Sequence, residues 1–474
     1  MLFNSYEFIF LYLPVALLGF FGFARISHTY SAGWLALMSL LFYAYWNPIY
    51  VSLLMGSIVF NFTFGGWIET AEDRHEVVRK KRLLVVAITA NLLLLGYFKY
   101  ANFFIGNLNS VANTSWSLGE IILPLGISFF TFTQIAFLVD CYQGKVKEYN
   151  FIHYTLFVTY FPHLIAGPVL HHKDMMPQFA KQDICRIDWG NIYIGLCIFV
   201  LGLAKKVLIA DSLAEFASTI FNSAAAGAQP QLLEAWIAAL AYTLQLYFDF
   251  SAYCDMAIGL SLMFNIRLPI NFYSPYKATS IIEFWRRWHM TLSRFLRDYL
   301  YIPLGGSRHG KAQRYMNLMI TMLLGGLWHG AGWTFVVWGA LHGTYLMINH
   351  AWRNIKTKMG WNVAGYFAKL AAGALTFIAV VVGWVFFRAD SVSTALVMLR
   401  GMACLNGAVF PTVLEGNVGH FFGFYDWLNF LGYTTFARMF IDVYAITSVR
   451  LKTTPCLWNP YFMPHAAVLR VSPT

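Results

Sequence analysis

Apolar residues in this sequence come in unbroken runs. Phe8 to Phe23, Leu83 to Phe98, Ile121 to Val139 and Tyr193 to Ala210 each approach the roughly 20 residues that carry a helix across a hydrocarbon core. Lipid offers no hydrogen bonds, so backbone amides there must be satisfied within helices or a closed barrel. Barrel strands alternate apolar and polar residues, whereas these runs do not, so helices are expected. Composition agrees. The 474 residues are 58% hydrophobic and 12% charged, well under the ~25% charge of soluble domains, and the mean hydropathy is +0.56.

The expected fold is therefore all-α: a polytopic transmembrane helical bundle in one domain, residues 1–474. Ten or eleven segments are expected, near 5–24, 31–46, 49–68, 83–104, 120–140, 151–170, 190–210, 231–264, 315–350, 366–388 and 424–447. Segment 231–264 is long enough for a span plus a second, tilted or broken piece. Segment 315–350 is expected to break at GlyGlyLeuTrpHisGly. The run Tyr160 to Val169 holds two prolines and a glycine, which predicts a broken or re-entrant helix. His163 in that run either lines a cavity or caps freed carbonyls, and capping is preferred. The N-terminus lacks a basic stretch and a small-residue cleavage site, which favours a retained first helix over a cleaved signal.

The net charge of +11 needs no nucleic-acid partner, because excess Lys and Arg mark cytoplasmic loops. The basic run at 73–82 and the loop with Lys145 and Lys147 are placed in the cytoplasm. The stretch 105–119, without Lys or Arg, and the N-terminus are placed outside. The six cysteines show no paired spacing that would indicate zinc or a disulfide framework. Cys141, Cys197 and Cys254 are read as packing residues.

Between two very apolar regions lies 271–314, rich in charge and aromatics. Arg286, Arg287, Arg294 and Arg297 recur at helical spacings, as do Trp285, Trp288, Phe295 and Tyr299. This predicts one amphipathic helix in the plane of the interface, either a plain anchor or, because His289 lies within it, part of a site. Ionisable residues at membrane depth are costly and become functional candidates by default. His329 sits between apolar stretches, with glycines that allow close approach of a ligand. Imidazole titrates near neutrality and can serve as a general base for a hydroxyl. A histidine bonded between helices would look the same. His342 is read as structural, and no set of metal ligands is apparent. Asp249 and Asp255 lie inside an apolar segment. Each could pair with an arginine of the 286–297 helix or orient a histidine; pairing is preferred, with a proton-relay role as the less favoured option. Nucleophile-elbow, dinucleotide and phosphate-loop motifs are absent.

The runs FPHLIAGPVL, LYFDFSAYCDMAIGL, EFWRRWHMTLSRFLRDYLYIPLGG and MLLGGLWHGAGWTFVVWGALHG resemble the membrane-bound O-acyltransferase family. They are most similar to its bacterial branch that acetylates exopolysaccharides, typified by alginate O-acetyltransferase. GYFKYANFF, LPLGISFFTF and GWVFFRAD extend the resemblance over about 1–390, with a motif core near 120–390. It implies a central tunnel, catalysis by His329, and His289 on the cytoplasmic side of that tunnel. It also implies a cytoplasmic acetyl donor such as acetyl-CoA, with no bound cofactor. The basic face with Arg286, Arg287 and Arg294 would draw the donor's phosphates. Trp328, Asp249 and Asp255 are further candidates for contact with substrate or donor. The implied partners are the bilayer, the donor, an exported polysaccharide of alginate or cellulose type and periplasmic acetyltransferases, all at a bacterial inner membrane. A transporter or channel without catalysis, or an acyltransferase for peptidoglycan or teichoic acid, are the alternatives.

Overall fold

A computed structural model describes residues 1–408 except 74–75, 147–149, 166 and 361–364. The expected segment 424–447 lies outside the described residues. Helices connected by turns and short loops make up the described chain, which contains no strand. In order they are α1 Phe8–Ala24, α2 His28–Ala44, α3 Ile49–Asp73, α4 Val77–Ala112, α5 Ile127–Tyr142, α6 Phe151–Thr159, α7 Phe161–Leu164 and α8 His172–Phe179. There follow α9 Trp189–Ala225, α10 Leu232–Met263, α11 Ile281–Trp285, α12 Met290–Leu296, α13 Gly310–His329, α14 Trp333–Lys358, α15 Tyr366–Arg388 and α16 Val392–Met402.

Among the described residues four helices, α3, α4, α9 and α15, are long and apolar enough to cross a membrane. In α9 the most apolar stretch is only 17% buried by protein. That much apolar surface is stable only against lipid. Polar side chains start several helices. Asp188 accepts the Asn191 N–H at 3.0 Å ahead of α9, and Gln231 with Glu234 forms a reciprocal capping box ahead of α10.

The chain breaks as expected in two places. At 160–164 the helix ends at Thr159 and restarts for a single turn. His163 Nε2 lies 3.1 Å from the Phe157 carbonyl. A carbonyl only accepts, so that nitrogen carries the proton and caps the freed group. In the long apolar segment, α13 ends at His329 and α14 begins at Trp333. These two helices fold back on each other at backbone contact. A Cβ on Gly326 would lie 2.3 Å from the Phe335 carbonyl oxygen, and one on Gly339 would lie 2.4 Å from that of Met322.

Three expectations are corrected. Segment 231–264 is one continuous helix of 32 residues, with no second piece. The helix begun near residue 83 does not stop at 104; it runs to Ala112, into the stretch read as a loop. Finally, 285–298 is not one amphipathic helix. It stops at Trp285 and restarts at Met290, with His289 between them in the left-handed region at φ 43°. Such a conformation is uncommon for a non-glycine residue and has to be held by its surroundings. Asn271 does so: its backbone carbonyl accepts the Met290 N–H at 2.9 Å, and its side-chain oxygen accepts the Thr291 N–H at 3.2 Å.

Candidate active site

His289 and His329 come from separate elements and meet. Their ring centroids are 6.5 Å apart. His289 is 1% exposed. Its Nδ1 lies 3.1 Å from Asn271 Oδ1. That oxygen already accepts from the Thr291 N–H and, at 2.9 Å, from the Thr291 hydroxyl. The imidazole nitrogen facing it is therefore the donor, and in the neutral ring Nε2 keeps the lone pair. Phe250 of α10 stands edge-on to the same ring at 4.7 Å.

His329 is the last residue of α13. Trp328, Trp338 and Phe387 surround it, with centroids at 4.9, 5.2 and 5.1 Å. The carbonyls at a helix C-terminus lack partners within the helix. Here α4 supplies them. Its Gly96–Tyr100 stretch is a π-turn, which turns Lys99 and Tyr100 toward α13. The Tyr100 hydroxyl donates to the Leu327 carbonyl at 2.7 Å. The Lys99 ammonium donates to the Trp328 carbonyl and, at 2.9 Å, to Ser128 Oγ.

Two cavities flank the histidines. One, of about 220 Å³, is lined by Lys99, Pro124, Ser128, Trp328 and both histidines. The other, of about 280 Å³, is lined by Asp249, Tyr253, Trp288, Trp384 and both histidines. Phe250 lines both. Each is mostly apolar, with few polar groups, as small-molecule sites usually are.

The remaining sequence candidates are distributed differently. Asp249 and Asp255 do not pair with arginines. Lys206 meets Asp249 and Asp211, each at 2.6 Å, and Lys205 meets Asp255. Both lysines lie in a second π-turn, Lys205–Ala210, inside α9. Two adjacent cations on the helix packed beside α10 therefore take the carboxylates. Arg287 bonds Glu283 at 2.7 Å, Arg294 bonds Asp174 at 2.8 Å, and Arg286 is exposed. None of these three lines either cavity. Trp328 does, and the residue is 5% exposed. His342 is fully buried beside Trp285, Trp338 and Trp384, in the α14–α15 packing. Cys141 and Cys254 are buried, whereas Cys197 is exposed.

Sequence reading passed over Lys99, Tyr100, Asn271 and Phe250. Lys99 carried a usable signal, being a cation inside an apolar run. Asn271 and Phe250 carried none, because their roles depend on tertiary contact.

A helical membrane protein with two histidines facing each other where two cavities meet has the build of a group-transfer enzyme. The chain belongs to the membrane-bound O-acyltransferase family, whose model matches residues 142–389, and is accordingly an acyltransferase. It is 45% identical to a peptidoglycan O-acetyltransferase of Helicobacter pylori, over 86% of this chain and 80% of that one. It is 44% identical to a probable alginate O-acetylase of Pseudomonas aeruginosa, over 85% of this chain and 75% of that one. A teichoic acid D-alanyltransferase of Streptococcus thermophilus matches at 27% identity, over 48% of this chain and 57% of the other.

Proposed function

We propose that this protein is an O-acetyltransferase of the bacterial inner membrane, crossing it several times. It takes acetyl from a cytoplasmic donor, acetyl-CoA, and delivers it for O-acetylation of an exported polysaccharide of alginate or cellulose type. The observation that carries this is the pair of cavities sharing His289, Phe250 and His329. Two compartments reaching one imidazole pair is what a transfer between two sides of a membrane needs, and together they would form a tunnel. The first cavity is bordered by Leu123 and Pro124, which follow the stretch without Lys or Arg at 105–119. That supports assigning it to the acceptor side, and the second to the donor.

In this reading His329 accepts the proton of the attacking hydroxyl, or carries the acetyl transiently. His289, held by Asn271, presents Nε2 to the same space. Arg286, at the exposed end of α11, remains available to donor phosphates. Periplasmic acetyltransferases complete delivery to the polymer.

The peptidoglycan relative favours a second acceptor, the cell-wall glycan. One experiment addresses both. O-acetyl is measured on exported polysaccharide and on cell wall in cells with wild type, His329→Ala or a deletion, with membrane levels of the protein matched. Loss in His329→Ala equal to the deletion supports the enzyme, and the fraction that loses acetyl names the acceptor. Unchanged acetylation in both fractions would overturn the proposal.

A further inference from the structure

We propose that Lys99 is a further catalytic residue of this site, which donates a hydrogen bond to the acyl oxygen as negative charge develops there. The inference rests on the acyl-transfer reading above.

Lys99 lies inside α4, one of the helices able to cross the membrane. A cation at that depth is expected to find a carboxylate or a functional use. Among the described residues no carboxylate pairs with Lys99. Its two hydrogen-bond partners are neutral, Ser128 Oγ and the Trp328 carbonyl, and the rings of Tyr100 and Trp328 stand 5.9 and 5.8 Å from the ammonium. An ammonium has three N–H bonds, so these partners leave one over. Lys99 lines the same 220 Å³ cavity as His289 and His329, and is half-buried there. Among the described residues it is the only Lys or Arg that lines that cavity. The side chain is also fixed: the π-turn at Gly96–Tyr100 aims it, and the Trp328 carbonyl holds it one residue from His329.

Acyl transfer supplies the missing counter-charge. The acceptor hydroxyl oxygen bonds to the thioester carbonyl carbon, its proton passes to the His329 ring, and the carbonyl π electrons move onto oxygen. The C–S bond then breaks, the C=O bond re-forms, and the thiolate takes the proton from His329. The negative oxygen exists only between these two events. A preorganised donor in a dry site acts on that state more than on the bound substrate. Lys99 is placed for this, while Tyr100, which bonds the neighbouring Leu327 carbonyl, only steadies the helix end.

The test uses inner-membrane vesicles carrying the full-length chain and its native acceptor system, with labelled acetyl-CoA. Lys99→Met, Tyr100→Phe and Lys99→Cys are compared with wild type at matched protein levels. Lys99→Met is expected to lower kcat by about 10²–10³-fold, the effect of losing one oxyanion donor, with donor KM little changed. Tyr100→Phe is expected to lose only a few-fold. Treating Lys99→Cys with 2-bromoethylamine, which rebuilds an ammonium, should restore activity that buffer-treated Lys99→Cys lacks. Equal losses in Lys99→Met and Tyr100→Phe, a loss confined to donor KM, or no rescue would overturn the assignment. The underlying reading fails differently, with wild-type vesicles transferring no acetyl.

Discussion

His289 and Asn271 form the hydrogen bond on which the geometry of the histidine pair depends. Nδ1 of His289 meets Asn271 Oδ1 at 3.1 Å, and the same asparagine stabilises the left-handed backbone at His289 through Met290 and Thr291. Losing this bond frees both ring orientation and tautomer. Asn271→Ala is expected to lower acetyl transfer by about 10²-fold, the scale of a misplacement near 1 Å, without removing the protein from the membrane. His289→Ala should lose at least as much. Rates in vesicles at matched protein levels check this, and wild-type rates in Asn271→Ala would show that the bond has no part in transfer.

Phe250 lines both cavities and stands edge-on to His289 at 4.7 Å. It narrows the place where an acyl group would reach the histidines. Phe250→Ala should join the cavities and relax the limit on acyl length. Propionyl and butyryl thioesters are expected to gain relative to acetyl by about 10-fold, since one methylene in a pocket is worth about 1–3 kcal/mol. Competition between labelled donors measures the ratio. An unchanged ratio would mean that the ring does not set acyl size.

How far the sequence revealed this site depends on whether a role was local. Breaks at Pro162 and at the glycines around His329 were visible because glycine and proline act on their own backbone. The Arg–Asp pairing failed for a tertiary reason. Asp249 and Asp255 look toward α9, where Lys205 and Lys206 lie nearer. The predicted amphipathic helix failed because helical spacing of Arg and Trp does not report the left-handed His289 in its middle. That break is set by Asn271, eighteen residues away. Lys99 stands in GYFKYANFF as a cation inside an apolar run, which is a local signal, but its bond to the end of α13 reaches across 229 residues and leaves no trace in spacing.

The α13–α14 hairpin is as close as two helices can come. A Cβ at Gly339 would lie 2.4 Å from the Met322 carbonyl oxygen, and backbone cannot retreat as a flexible side chain can. Gly339→Ala should therefore push α13 outward and move His329 from His289. Activity is expected to fall by about 10²-fold, with a lowered thermal midpoint in detergent. Gly22→Ala, where a Cβ meets nothing within 4 Å, serves as the control. If both variants keep wild-type activity and midpoint, the hairpin contact is not what positions His329.

Asn61 of α3 and Asn91 of α4 form a reciprocal amide pair at 2.6 and 3.1 Å, each at most 3% exposed. Such bonds between membrane helices contribute about 0.6–2 kcal/mol, and a buried amide left without its partner costs about 1–3 kcal/mol. Asn61→Leu alone strands the Asn91 oxygen and is expected to lower the thermal midpoint in detergent. Asn91→Leu alone should do the same. Asn61→Leu with Asn91→Leu removes both polar groups and should recover part of the loss, because no buried amide is then left without its partner. The coupling between the two positions is therefore expected to be favourable by about 1 kcal/mol. Unfolding of wild type and the three variants in one detergent gives it directly. Additive losses would show that the pair, though well formed, does not hold α3 to α4.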